Sequence, residues 1–266
     1  MVALVLPPWV VRPETAVGDE AVRASDGPAA DHPQAQQGRI DRLIEQLGAP
    51  DYHVRQKAQA ELSALGFEAF DALSEAETHE DLEIATRAKY LLRLMRIQWS
   101  TDVDSPEVRD ILQDYEFQDS ENRLLRMRRL AALSDDAGVP ALCRLVRFEK
   151  SSLLSKRAAI EILGRYDPEK PLPESVAATI EKHLGSSRRV AADWLRTTLK
   201  FRNDPEAAVE YWGKLVESEK EKFRAAPDQS QPQIISALIR LQINWLNKLD
   251  RQEEAVDAMR ELIAWE

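Results

Sequence analysis

IDRLIEQLGAPDYHVRQKAQAELSALG, residues 40–66, decides the fold. Ile40, Leu43, Ile44 and Leu47 recur three and four positions apart, and so do Val54, Ala58, Leu62 and Leu65. That spacing places each set on one face of a helix. Gly48-Ala49-Pro50-Asp51 stands between them as a turn. The stretch therefore reads as a helical hairpin, too small to bury its own apolar face, and it predicts further hairpins stacked against it.

The pattern recurs. Moving by 30 positions lays Ile84, Arg87, Ala88 and Leu92 on Val54, Lys57, Ala58 and Leu62, with Asp81 on Asp51. A further shift brings Leu154, Arg157, Ala158 and Ile162 to the same places, after Gly138-Val139-Pro140-Ala141-Leu142 as the entry to a partner helix. The cadence Leu43, Leu47, Asp51, Val54, Arg55, Ala58, Leu62, Gly66 resembles the HEAT repeat, and Asp136 to Leu142 resembles the opening of another unit. The resemblance covers residues 39–165. It implies that the Asp caps the second helix, that the aliphatic residues pack inside, and that a small Ala lets neighbouring helices approach. The unit from Ser105 to Asp135 departs from it, with Met127 and Arg128 where a basic residue and Ala would stand.

Arg165 to Pro173 carries three prolines and marks a boundary. Beyond it, helices are expected from Glu174 to Leu184, stopped by Gly185, from Ser187 to Phe201, and onward from Asp204-Pro205-Glu206. A second self-match, moved by 47 positions, lays Ala208, Val209, Trp212, Leu215 and Val216 on Ala255, Val256, Met259, Leu262 and Ile263. Lys248 to Val256 resembles the turn and second helix of a tetratricopeptide repeat, with Asp250 in place of the usual Gly, and Phe201 to Val209 is a weaker version. A polar loop near Arg224 to Gln233 would account for the excess over that repeat's ~34 residues. Ile234, Leu238, Leu241 and Trp245 form one stripe, and Ile235, Ile239, Ile243 and Leu246 another, as expected of a helix sandwiched between neighbours. Together the two resemblances imply an all-α protein: a right-handed α-solenoid of antiparallel hairpins, HEAT-like over 39–165 and tetratricopeptide-like over 171–266.

Composition narrows the function. A formal charge of −10 weighs against a nucleic-acid partner. The single cysteine, Cys143, lies on an apolar helix face and permits neither an internal disulfide nor a Cys-based metal site. His32, His53, His79 and His183 are scattered, and Asp102-Val103-Asp104 lacks the Gly and Glu that would complete a calcium loop. No cofactor, metal or catalytic constellation is expected. The apolar run Val2 to Val11 is too short to span a membrane, for which ~20 residues are needed. It is either the tip of a tail or the remnant of a secretory signal, which would place the protein outside the cytoplasm. Residues 12–38 read as a linker.

Both resembled families imply a non-catalytic scaffold or adaptor that binds a protein on its concave surface. Arg123, Arg126, Arg128, Arg129, Arg144, Arg147, Lys156 and Arg157 are the candidate interaction surface. HEAT-like DNA glycosylases use such a basic surface, which keeps nucleic acid as the alternative, although Arg and Lys stems also cover apolar surface and pair with Glu. Trp265 is a candidate anchor. The bare last helix suggests either self-association through that end or the assembly part of a longer polypeptide.

Overall fold

The computed structural model describes residues 33–265 apart from 168, 169 and 171, and all regular structure among them is helical. Val2 to Val11 and most of the linker lie outside the described residues. The linker's end does not. Helix α1 runs Pro33–Gln46, so residues 33–38 are helical, a correction explained by Gln and Ala being adequate helix formers behind a proline at the first position.

Helix α2 (Tyr52–Leu65) completes the first hairpin, and α3 (Phe70–Ala76) with α4 (Leu82–Leu94) makes the second. An aspartate starts the return helix of each. Asp51 accepts the His53 amide at 2.7 Å and Asp81 the Glu83 amide at 2.8 Å, satisfying donors that the first turn leaves orphaned. Asp51→Ala and Asp81→Ala should each cost about 1 kcal/mol in urea denaturation; no change at either position would mean that water replaces the caps. Helix α1 packs on α3 and α2 on α4, around a core that includes Ile40, Leu47, Leu62, Leu73 and Leu91. Val54, expected inside, is exposed, whereas its counterparts Ile84 and Leu154 are buried. Among the described residues no helix covers the outer side of α2.

A second core holds the rest: α5 (Pro106–Leu112), α6 (Ser120–Ala131), α7 (Val139–Phe148), α8 (Ser152–Leu163), α9 (Glu174–Leu184), α10 (Val190–Lys200), α11 (Pro205–Ala225), α12 (Pro232–Lys248) and α13 (Gln252–Ile263). Ser105, Asp119, Ser151 and Asp204 cap the helices they precede. Helix α9 stops at Gly185, whose φ of 53° is left-handed. Asp250 turns the chain into α13 at φ 58°, a conformation that its short polar side chain tolerates in place of glycine. Alternate helices lie together, α6 on α8, α8 on α10 and α7 on α9, and then α10 to α13 follow in chain order. Both stripes of α12 are covered, from α11, α13 and α8. Trp194, Trp212 and Trp245 are core residues.

The second core continues through the proline-rich stretch, with Ile162 before it and Val176 after it. The run of buried apolar residues breaks instead between Leu92 and Val108, where the chain passes from the first core to the second. One expected boundary moves for a reason that matters to function. The helix read from Ser187 begins at Val190, because Ser187 directs its hydroxyl to Asp71 on α3 at 3.2 Å.

Candidate functional site

Most of the cations expected to form one open basic surface are engaged within the fold, while Arg128 and Arg129 stay exposed. Arg123 donates to the carboxylate of fully buried Glu149 at 2.8 Å, and Arg126 donates to the Ile111 and Gln113 carbonyls that end α5. Arg128 pairs with Glu161 at 3.6 Å, Arg129 with Asp110 at 3.9 Å, and Arg157 bonds Gln231. Arg144 and Lys156 are buried: Arg144 grips Asp104 at 2.5 Å and the Trp99 carbonyl at 3.2 Å, and Lys156 holds Glu219 at 2.7 Å. Asp104 is therefore an ion-pair partner for Arg144, and it also accepts the Thr101 amide. Trp265 is half-buried on the second core, its ring edge-on to Phe223 at 5.6 Å. Cys143 is buried, and burial pushes its thiol up to about 12.

Arg147 leads elsewhere, to the seam between the cores. Next to it Phe148, at the end of α7, packs its ring on Phe67 at 5.1 Å and Phe70 at 5.2 Å. Beside this aromatic contact Asp71 of α3 lies between two guanidinium groups, with Arg147 Nε and Arg189 Nε each 3.7 Å away. Those distances are ion pairs without hydrogen bonds. Asp71 Oδ2 and Arg147 Nε indeed have no hydrogen-bond partner, and Arg189 gives its own bond to the Glu149 carbonyl. Arg188 reaches Glu75 at 2.9 Å and Asp41 at 3.3 Å, tying α10's start to α3 and α1.

Desolvation decides the charge balance here. Burial raises the Asp71 carboxyl above its ordinary 3.8, against the opposing pull of Arg147, Arg189 and the Ser187 hydroxyl. A carboxyl with a raised folded pKa binds its proton more tightly in the fold, so its ionised form is a penalty at neutral pH that is relieved as pH falls through the folded value. Asp71→Asn, which can keep the Ser187 bond, should thus be at least as stable as wild type at neutral pH, with the difference shrinking toward zero in acid. Chemical denaturation across that range checks it; a loss of several kcal/mol at neutral pH would mean that the two ion pairs outweigh desolvation.

Above the seam opens a cleft of about 540 Å³. One wall is α3 and α4, presenting Phe70, Asp71, Glu75, Glu77, Lys89, Leu92 and Arg93, and the other is the beginnings of α8 and α10, with Lys150, Ser152, Arg188, Arg189 and Val190. Lys89 and Arg93 sit four apart on α4, a spacing at which like charges repel. Lys89, Arg93 and Lys150 are exposed and make no ion pair among the described residues, unlike the cations deeper in the cleft. Helix α10 starts without a side-chain cap. Among the described residues, no group of His, Cys, Asp or Glu side chains is placed to hold a metal ion, and no helix is long and apolar enough to cross a membrane.

The chain matches no family model, no curated protein and no solved structure. Sequence reading missed this cleft, although two signals were present. Lys89 and Arg93 repeat at helical spacing with no Glu four before either to pair with, and Arg188-Arg189 stands at a helix start, where the macrodipole disfavours cations. Such a pair implies acidic partners elsewhere, here Asp71, Glu75 and Asp41.

Proposed function

We propose that the protein is a non-catalytic scaffold that binds another protein, built as an α-solenoid with HEAT-like hairpins over 39–165 and tetratricopeptide-like hairpins over 171–266. The packing of alternate helices supports the solenoid reading, and the capped hairpins and buried Ala58, Ala88 and Ala158 support the HEAT-like one. The observation that carries the function is the seam cleft: a concave, solvent-open site whose rim cations Lys89, Arg93 and Lys150 pair with no carboxylate among the described residues. The nucleic-acid alternative keeps a smaller surface, since Arg123 and Arg126 are occupied by a carboxylate and carbonyls while Arg128 and Arg129 stay exposed beside Glu161 and Asp110. The full chain used as bait, washed with high salt and nuclease, should retain a protein that then co-elutes with it from purified components. Retention that vanishes with nuclease would overturn the scaffold reading.

A second copy of the chain is a further partner, favoured by α13. Val256, Met259 and Ile263 are 43%, 41% and 75% exposed, while their counterparts Val209, Trp212 and Val216 in the 47-residue self-match are buried. Sedimentation equilibrium should report a dimer that Ile263→Lys returns to monomer; a wild-type monomer at high concentration would remove this partner.

A further inference from the structure

We infer that the seam cleft receives an acidic peptide segment of the partner protein, an inference that rests on the scaffold reading and names the chemistry of its site. Charge comes first. The lining carries Asp71, Glu75 and Glu77 against Lys89, Arg93, Lys150, Lys156, Arg188 and Arg189. Asp71 is held by Arg147 and Arg189, Glu75 by Arg188, and Lys156 by Glu219. Subtracting those pairs leaves three cations at the mouth, Lys89, Arg93 and Lys150, opposed by Glu77. On a chain of net charge −10 this is a local reversal of sign, and it comes from both walls of one cavity. A carboxylate entering there would relieve the repulsion between Lys89 and Arg93 and meet cations on two sides.

The walls also say what kind of acid fits. Phe70, Leu92, Val190 and Ala191 give the cleft apolar lining, and its volume lies within the ~300–1,000 Å³ of ligand sites that combine apolar walls with a few polar groups. Beside the cations on α4, Tyr90 and Leu94 are exposed one position on, about 100° around the helix. A polyphosphate backbone has no apolar group to lay on these surfaces. A peptide alternating acidic and apolar residues does have such groups: its carboxylates face the rim, its apolar side chains face Phe70 and Leu92, and its carboxylates can also accept from the uncapped first amides of α10.

The test uses the full chain and a fluorescein-labelled peptide of alternating glutamate and leucine, with anisotropy read at low and raised salt. The wild type should bind it, more weakly as salt screens the rim. K89E/R93E/K150E should weaken binding about tenfold or more. Its three side chains are exposed, and circular dichroism and the melting temperature confirm its fold. K57E/K182E/K214E makes the same change in net charge at exposed lysines outside the cleft and should leave binding close to wild type. Equal loss in both triple variants, no loss in the first, or tighter binding of a DNA oligonucleotide of matched charge would each overturn the inference. The two readings fail separately. A reconstituted protein complex that survives K89E/R93E/K150E unchanged keeps the scaffold and removes the acidic peptide, whereas peptide binding at the rim with no protein partner removes the scaffold alone.

Discussion

Lys156→Met should cost the fold about 3 to 5 kcal/mol, and Lys156→Met combined with Glu219→Leu should recover most of that loss. Lys156 is 3% exposed and Glu219 1%, so neither charge has water to fall back on. The ammonium donates to Glu219 Oε1 at 2.7 Å and to the Gln229 carbonyl at 2.9 Å, while Ser230 donates to the same carboxylate oxygen at 2.5 Å. Three segments are pinned by one pair: α8, α11 and the turn before α12. Removing the lysine leaves a buried carboxylate with one hydroxyl for company. Its Oε2 already lacks a partner, so the site has no spare donor to compensate. Burial lowers the Lys156 pKa from its ordinary value even with Glu219 opposing the shift, so desolvation outweighs the attraction at the lysine. Replacing both partners by apolar groups of similar size removes that cost together with the attraction, and for this reason the double variant should approach wild type. Urea midpoints of the four proteins in this cycle measure it. A single variant within 1 kcal/mol of wild type would mean that water reaches Glu219, and a double variant worse than the single would mean that packing, not charge, dominates the site.

The same pair marks the limit of what the sequence discloses. Hairpin turns, aspartate caps, the glycine stop at Gly185 and the two-sided helix α12 were legible because each signal is local, complete within a turn or two of helix. Ala58, Ala88 and Ala158 were legible as buried because they recur in register. The partners of the cations were not. Lys156 meets Glu219 across 63 positions, Ser187 meets Asp71 across 116, and Arg147 reaches the Phe67 carbonyl across 80. No periodicity encodes such pairings, since they depend on how one hairpin is set against another. A list of arginines on consecutive helices thus suggests one basic surface, when most of those side chains bond carbonyls and carboxylates within the fold. The cleft was hidden for the same reason: its walls are α3 and α4 on one side and the starts of α8 and α10 on the other.

Gly138→Ala should destabilise the protein by about 3 kcal/mol or more, although alanine is the better helix former. Gly138 precedes α7 at φ −84° and ψ −14°, a region open to every residue, so backbone freedom is not what glycine supplies. Space is. A Cβ at this position would lie 2.0 Å from the Leu130 carbonyl oxygen, 2.6 Å from its carbon and 3.0 Å from Leu130 Cα. All three are backbone atoms near the end of α6, and no rotamer change can move them aside. Relief requires α6 and α7 to separate, which would loosen Met127 and Leu130 from Val139 and Leu142, all buried in the same core. Gly213, inside α11, is the contrast: its added Cβ would meet only Gln242 Nε2 at 3.6 Å, an ordinary contact. Gly213→Ala should therefore stabilise by about 0.5 to 1 kcal/mol, the usual gain for alanine over glycine in a helix. Thermal and urea denaturation of the two variants side by side separate steric from conformational roles. Gly138→Ala within 1 kcal/mol of wild type would mean that α6 and α7 lie further apart than a glycine contact requires, and the close approach that seats the second core would have to be abandoned.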